Sequence, residues 1–230
     1  MTQNDYQALA AKSLSGKFND AGMLVTALTH RSYLNEHRKS VSEHNERLEF
    51  LGDAVLELTV TEYLYDQYDE PEGVLTSWRS ALVRTESLSE VANRLGFEPY
   101  LRLSRGEKNG SRRARDQILA NSVEAVIGAI YLDQGYDAAK QFVAKNILSK
   151  LDTILEKDTW RDAKSLLQEK AQSADSLTPS YRVMEEEGPD HDKKFTIGVY
   201  VGDELKGQGI GPSKQSAQQK AAEMALKKYE

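Results

Sequence analysis

The chain's 230 residues contain no cysteine. That excludes a disulfide framework and any thiolate metal site, and it is compatible with a reducing cytosol. No apolar run approaches the ~18 residues of a membrane-spanning helix. The start, Met1-Thr2-Gln3-Asn4-Asp5-Tyr6, lacks the basic segment leading into an apolar one that marks a signal peptide. Positive charge is in deficit as well. The net charge is −6 and the pI about 5.4, which taken whole argues against a nucleic-acid protein. Internal repeats and low-complexity tracts are missing, and residues 1–159 carry no strand pattern. What is present is 39% hydrophobic and 29% charged residues, a globular profile rather than a disordered one. The length suits one large domain or two modest ones.

The distribution of charge says more than its sum. Arg102, Arg105, Lys108, Arg112, Arg113 and Arg115 fall in one short stretch with only Glu107 against them. Lys214, Lys220, Lys227 and Lys228 crowd the last segment. A locally basic surface on an acidic protein is therefore expected, and the first stretch reads as a phosphate-contacting rim or as a solvated loop.

Hydrophobic periodicity divides the chain in two. In the first part, short helical pieces are expected near Leu9–Leu14 and Leu24–Leu28. A long helix is expected over 46–68, ending before Pro71. Further helices are expected over 76–95, capped by Gly96, over 116–133 and over 137–156, with a broken segment at 97–115. After Asp158 the pattern changes. A helix at 163–172 precedes strands at 181–187, 195–201 and 204–210, the middle one alternating apolar and polar residues. A helix at 213–229 closes the chain. The fold class is thus multidomain: an all-α domain at 1–156, then a small α+β domain at 160–230 in the order α-β-β-β-α.

The most telling segment runs from His44 to Leu56. At roughly 100° per residue, Glu46, Glu49 and Asp53 lie within about 60° of one helical face. Leu48, Phe50, Leu51, Val55 and Leu58 supply apolar surface around them. A carboxylate row among core residues is costly unless a cation compensates it. A hard divalent metal with oxygen ligands is the natural candidate.

Glu46 to Leu56 resembles the signature of the ribonuclease III family, and Thr29-His30-Arg31-Ser32 and Ile118 to Ala125 resemble two further blocks of that family, in the expected order. Residues 159–230 resemble the double-stranded RNA-binding domain that follows the nuclease domain in bacterial members. The resemblance covers nearly the whole chain. It implies a homodimeric, cytoplasmic, Mg²⁺-dependent endoribonuclease, with Mn²⁺ able to substitute. Such an enzyme cuts both strands of double-stranded RNA, leaves 5′-phosphate and 3′-hydroxyl ends, and serves rRNA and mRNA processing without a small-molecule cofactor or a membrane.

Carried over by motif, Glu49, Asp53 and Glu124 are metal ligands, with Asp53 and Glu124 catalytic. Glu46 and Glu72 are supporting acids of the same groove. Asn121 stands where the family often has Asp. Its amide can ligate through oxygen but brings no charge, so it is either an accepted equivalent or a cause of weaker affinity for one metal. Phe50 is implied to pack into a socket on a second subunit, against the alternative of an ordinary core residue. His30 is read as structural. The resemblance places RNA contacts on the first helix of the C-terminal domain around Leu167, Gln168 and Lys170, on the loop at His191, and on Lys214 and Gln215. Arg112 and Arg113 serve the rim. The family clusters more lysines on the last helix than this chain does. Only Lys214 is charged among Lys214, Gln215 and Gln218, so lysines introduced at 215 and 218 are expected to tighten RNA binding. The rival reading is a catalytically weak or inactive double-stranded RNA-binding protein.

Overall fold

The computed structural model describes residues 2–14, 16, 18–37, 43–156, 160, 163–189 and 193–229. It falls into two compact units, 1–157 and 158–230. Among the described residues the first is helical: α1 (Gln3–Ser13), α2 (Ala21–Ala27), α3 (Arg31–His37), α4 (Glu46–Gln67), α5 (Glu72–Val83), α6 (Thr85–Leu95), α7 (Arg105–Lys108), α8 (Arg112–Gln134), α9 (Tyr136–Asn146) and α10 (Leu151–Glu156). An isolated parallel bridge joins Thr29 to Arg102.

The core forms around α8, whose Leu119, Val123, Val126, Ile127 and Ile130 are buried. Helices α2, α4, α6 and α9 all pack on it. Helix α4 presents Val55, Leu56, Val60 and Leu64 to the interior, whereas Phe50 and Leu58 point outward. The apolar residues of α4 thus line two faces rather than one. Where α4 meets α8, Gly52 faces Gly128 with no side chain between. A Cβ on Gly52 would stand 1.7 Å from the carbonyl oxygen of Glu124, and one on Gly128 would stand 2.2 Å from that of Leu48. The two backbones touch.

Two expected helices prove to be broken. Residues 76–95 divide at Arg84, whose extended backbone (φ −62°, ψ 155°) ends α5 and starts α6. The break lets α5 lie along α4 while α6 turns to α8. Residues 137–156 form α9, a 3-10 turn at Leu148–Lys150, and α10, interrupted at Ile147. Gly96 caps α6 in the left-handed region (φ 74°) as expected.

The second unit has α11 (Ala163–Asp175), strands β1 (Ser180–Glu187), β2 (Lys194–Val201) and β3 (Glu204–Gly211), and α12 (Lys214–Leu226). The sheet is antiparallel in the order β1-β2-β3, and Gly202 (φ 61°) turns the β2–β3 hairpin. Ala163, Leu167, Val199, Ala221, Ala222 and Ala225 form the core. Strand β3 meets α12 through Gly207, Gly209 and Gly211. A Cβ on Gly207 or Gly209 would approach the carbonyl oxygen of Ala221 or Ala217 to 2.3 Å. Among the described residues no helix is long and apolar enough to cross a membrane.

Candidate active site and RNA-binding face

The contact between Gly52 and Gly128 determines which acids meet. Glu49 and Asp53 flank Gly52 on α4, and Glu124 lies one turn before Gly128 on α8. Burial, then the charges of Asp53 and Glu49, push the Glu124 carboxyl up to about 8. Burial also raises Glu49, opposed by a hydrogen bond from Asn121 and reinforced by Glu46 and Asp53. Asp53 is exposed. Among the described residues no Lys, Arg or His forms an ion pair with Glu49, Asp53 or Glu124. No three His, Asp or Glu side chains converge into a ready-made metal cage among those residues. The oxygen donors nonetheless suit a hard divalent cation, which would relieve the repulsion felt by Glu124.

Asn121 is engaged at both ends. Its Nδ2 donates to Glu49 Oε1 at 2.9 Å, and its Oδ1 accepts from Gln117 Nε2 at 2.7 Å. Asn121 therefore orients Glu49, while its oxygen, with one lone pair engaged by Gln117, keeps a second that could ligate a metal. Gln117 did not emerge from the sequence, although its i, i+4 relation to Asn121 was there to be read.

Of the two supporting acids, Glu46 adjoins the trio, where its charge acts on Glu49, and only Glu72 lies apart from it. Glu46 pairs with Arg31 at 3.2 Å and with His44 at 3.8 Å. Glu72 starts α5, accepts from Thr76 Oγ1 at 3.0 Å, and lines a hollow of about 770 Å³ with Leu64, Tyr65, Tyr68 and Arg79. That hollow lies at the end of α4. Its lining residue nearest the trio, Thr61, is already eight residues past Asp53, roughly 12 Å along the axis. One chain thus does not bring Glu72 to the other acids. Phe50 is 82% exposed, so it is no ordinary core residue within the chain. His30 sits with Nδ1 2.8 Å from Ser32 Oγ, which accepts from Ser104 N. Burial lowers its pKa, as suits a neutral residue tying the Thr29–Arg102 junction together.

The basic stretch is only partly available. Arg102 stacks on Tyr33, and Arg115 pairs with Glu98 at 3.6 Å. Arg112 and Arg113 open α8 and are exposed, with Arg112 loosely paired to Asp116 at 4.0 Å. In the second unit Gln168, Lys170, Lys214 and Gln215 are exposed, but Leu167 is fully buried and belongs to the core rather than to a ligand face. Ser213 caps α12 by accepting from Ser216 N. Lys214 Nζ lies 2.9 Å from Glu186 Oε1. Lys220 on α12 and Lys228 just beyond its end donate to the carbonyls of Ile210 and Leu205 and so fasten the C-terminal segment to β3. His191 lies outside the described residues.

Residues 20–151 match the family model described as ribonuclease-III-like, and residues 163–229 match the double-stranded RNA binding motif. The ribonuclease 3 of Latilactobacillus sakei is 45% identical over 211 residues, covering 91% of each chain. That of Protochlamydia amoebophila is 46% identical, covering 97% of this chain and 91% of the other. This chain belongs to the ribonuclease III family. Among solved structures, the ribonuclease III nuclease domain of Campylobacter jejuni is similar with a TM-score of 0.55 and 40% identity. It covers 60% of this chain and 93% of that one. The present family member is therefore an endoribonuclease, with an all-α nuclease unit followed by a double-stranded RNA-binding motif of α-β-β-β-α order.

Proposed function

We propose that this ribonuclease III hydrolyses both strands of double-stranded RNA in a Mg²⁺-dependent reaction, with Mn²⁺ able to substitute. It leaves 5′-phosphate and 3′-hydroxyl ends in the cytoplasmic processing of rRNA and other RNAs. Residues 1–156 are the catalytic domain and 160–230 the RNA-binding domain. The observation that carries the reading is the placement of Glu49 and Asp53 on α4 across from Glu124 on α8, near enough for their charges, with burial, to raise Glu124 to about 8. Bound there, the divalent ion would supply an activated water and charge relief at the departing 3′ oxygen. The chain's part is to hold and aim. Asn121 fixes the Glu49 carboxylate, Gln117 fixes Asn121, and the glycine contact sets the spacing of α4 from α8. Arg112 and Arg113 hold backbone phosphates, which gives salt-dependent affinity without base reading.

The homodimer in this proposal is supported by the outer face of α4. Phe50, Leu58 and Tyr65 are exposed along it, and the hollow that contains Tyr65 and Glu72 lies at its far end. A knob and a hollow separated by about 22 Å on one helix complement themselves across a two-fold axis. The same axis would bring the Glu72 of a second copy towards the Glu46 end of the trio, where one chain leaves it distant.

The test is cleavage of long, end-labelled double-stranded RNA by the protein and by Glu124→Gln, in Mg²⁺ and then in Ca²⁺. Short duplex products from the unmodified protein in Mg²⁺, and binding without cleavage by the variant, are expected. Binding without cleavage by both proteins would leave a non-cleaving RNA-binding protein instead. Asn121→Asp should lower the half-saturating Mg²⁺ concentration roughly 3- to 10-fold, because one more charged ligand joins the site. Coincident Mg²⁺ curves would make the amide an equivalent ligand.

A further inference from the structure

The RNA face of the second unit holds a cation that its own helix does not encode. Lys164, in the first turn of α11, reaches across to α12, where its Nζ donates to Gln218 Oε1 at 2.8 Å. The same ammonium stands 5.1 Å from the centre of the Tyr181 ring on β1. Gln218 lies one helical turn after Lys214, so the two share a face of α12. An ammonium has three donors, and its contact with Gln218 uses one. No carboxylate pairs with Lys164 among the described residues, whereas Lys214 is offset by Glu186 at 2.9 Å. Of the two, Lys164 carries the less compensated charge.

We propose that Lys164 is a second phosphate-binding residue of the double-stranded RNA face, held in place by Gln218 as a positioning residue. Its ligand is a non-bridging phosphate oxygen of the duplex backbone. Lys164 fills the gap in positive charge that Gln218 leaves on α12. A lysine placed at 218 would face the Lys164 ammonium and drive it away, so the exchange would add no net cation. That reverses the sequence-based expectation for position 218 while leaving the one for position 215 intact.

The inference rests on the proposed RNA face at the start of α12, and the experiment separates the two. Full-length protein carrying Glu124→Gln is titrated with a 5′-labelled RNA duplex across a series of KCl concentrations. Lys164→Gln should weaken binding roughly 5- to 10-fold near 0.1 M salt and reduce the log–log salt slope by about one unit. Lys164→Arg should keep both. Gln218→Lys should change affinity less than about 2-fold alone but restore it in the Lys164→Gln background. Melting curves identify any variant that has lost its fold, and Lys164→Arg and Gln218→Lys then carry the test. If Lys164→Gln binds as tightly as the parent with the same slope while Lys214→Gln weakens binding, Lys164 is not a phosphate ligand. If neither substitution matters, the RNA face itself lies elsewhere and the inference falls with it.

Discussion

Gly52→Ala should lower the melting temperature by roughly 10 °C and cleavage by at least about 100-fold. The added methyl would stand 1.7 Å from the Glu124 carbonyl oxygen and 2.8 Å from the Gly128 nitrogen. Both are backbone atoms, so no side chain can rotate away. Helices α4 and α8 must separate instead. Overpacking typically costs about 1–3 kcal/mol where side chains can yield, and here they cannot. In a unit of this size about 3 kcal/mol corresponds to roughly 10 °C. The activity loss follows because the separation moves Glu49 and Asp53 away from Glu124, and misplacement by about 1 Å costs on the order of 100-fold. Gly128→Ala should behave alike, with its methyl 2.2 Å from the Leu48 carbonyl oxygen, whereas Gly73→Ala, with open space around it, should melt normally. Unchanged melting and cleavage in Gly52→Ala would mean that the helices do not touch there.

The second large effect concerns pH. Between about 4.5 and about 8 the folded protein holds a proton on Glu124 that the unfolded chain has released. The native state is therefore favoured at low pH, and stability falls as pH rises through that window. His30, lowered by burial, works in the opposite sense at acid pH, so the clean quantity is a difference. In metal-free buffer the protein and Glu124→Gln should melt alike near pH 5. By pH 8.5 the variant should be the more stable by roughly 5–10 °C. The full shift corresponds to an upper bound of about 5 kcal/mol, which the partly open site reduces to a few. Added Mg²⁺ should then stabilise the unmodified protein and close or reverse the gap. Parallel melting curves at all pH values would remove Glu124 as a buried, repelled carboxylate.

Local pattern made much of this molecule legible. Helices α4 and α8 repeat their buried residues at helical spacing, and β2 alternates, so both units and the acidic face of α4 followed from periodicity. Contacts between distant segments did not. Nothing near Gly52 announces that Gly128 lies opposite it. Nothing near Lys164 points to Gln218, 54 residues later. The break at Arg84 has neither Gly nor Pro to mark it, since it is imposed by the two helices that α5 and α6 pack against. Phe50 and Leu58 look like core residues in an amphipathic repeat and become surface residues only when α8 occupies the other side of α4. Glu72 adjoins the C-terminal end of α4, far from the trio at the other end, so local pattern alone gives no reason for the two to share a groove; that expectation came from the family resemblance and requires a second copy of the chain.

The glycines of β3 carry a thermodynamic consequence. Gly207, Gly209 and Gly211 hold no side chains that could pin the strand on their own, and glycine is a poor strand former. Besides its backbone pairing with β2, what holds the strand is the rod of alanines in α12 lying directly on its backbone, with the lysine fasteners at Ile210 and Leu205. Fraying of the last helix and melting of the third strand are then a single event. The RNA face proposed at the start of α12 would then not soften by degrees; it would be either whole or lost.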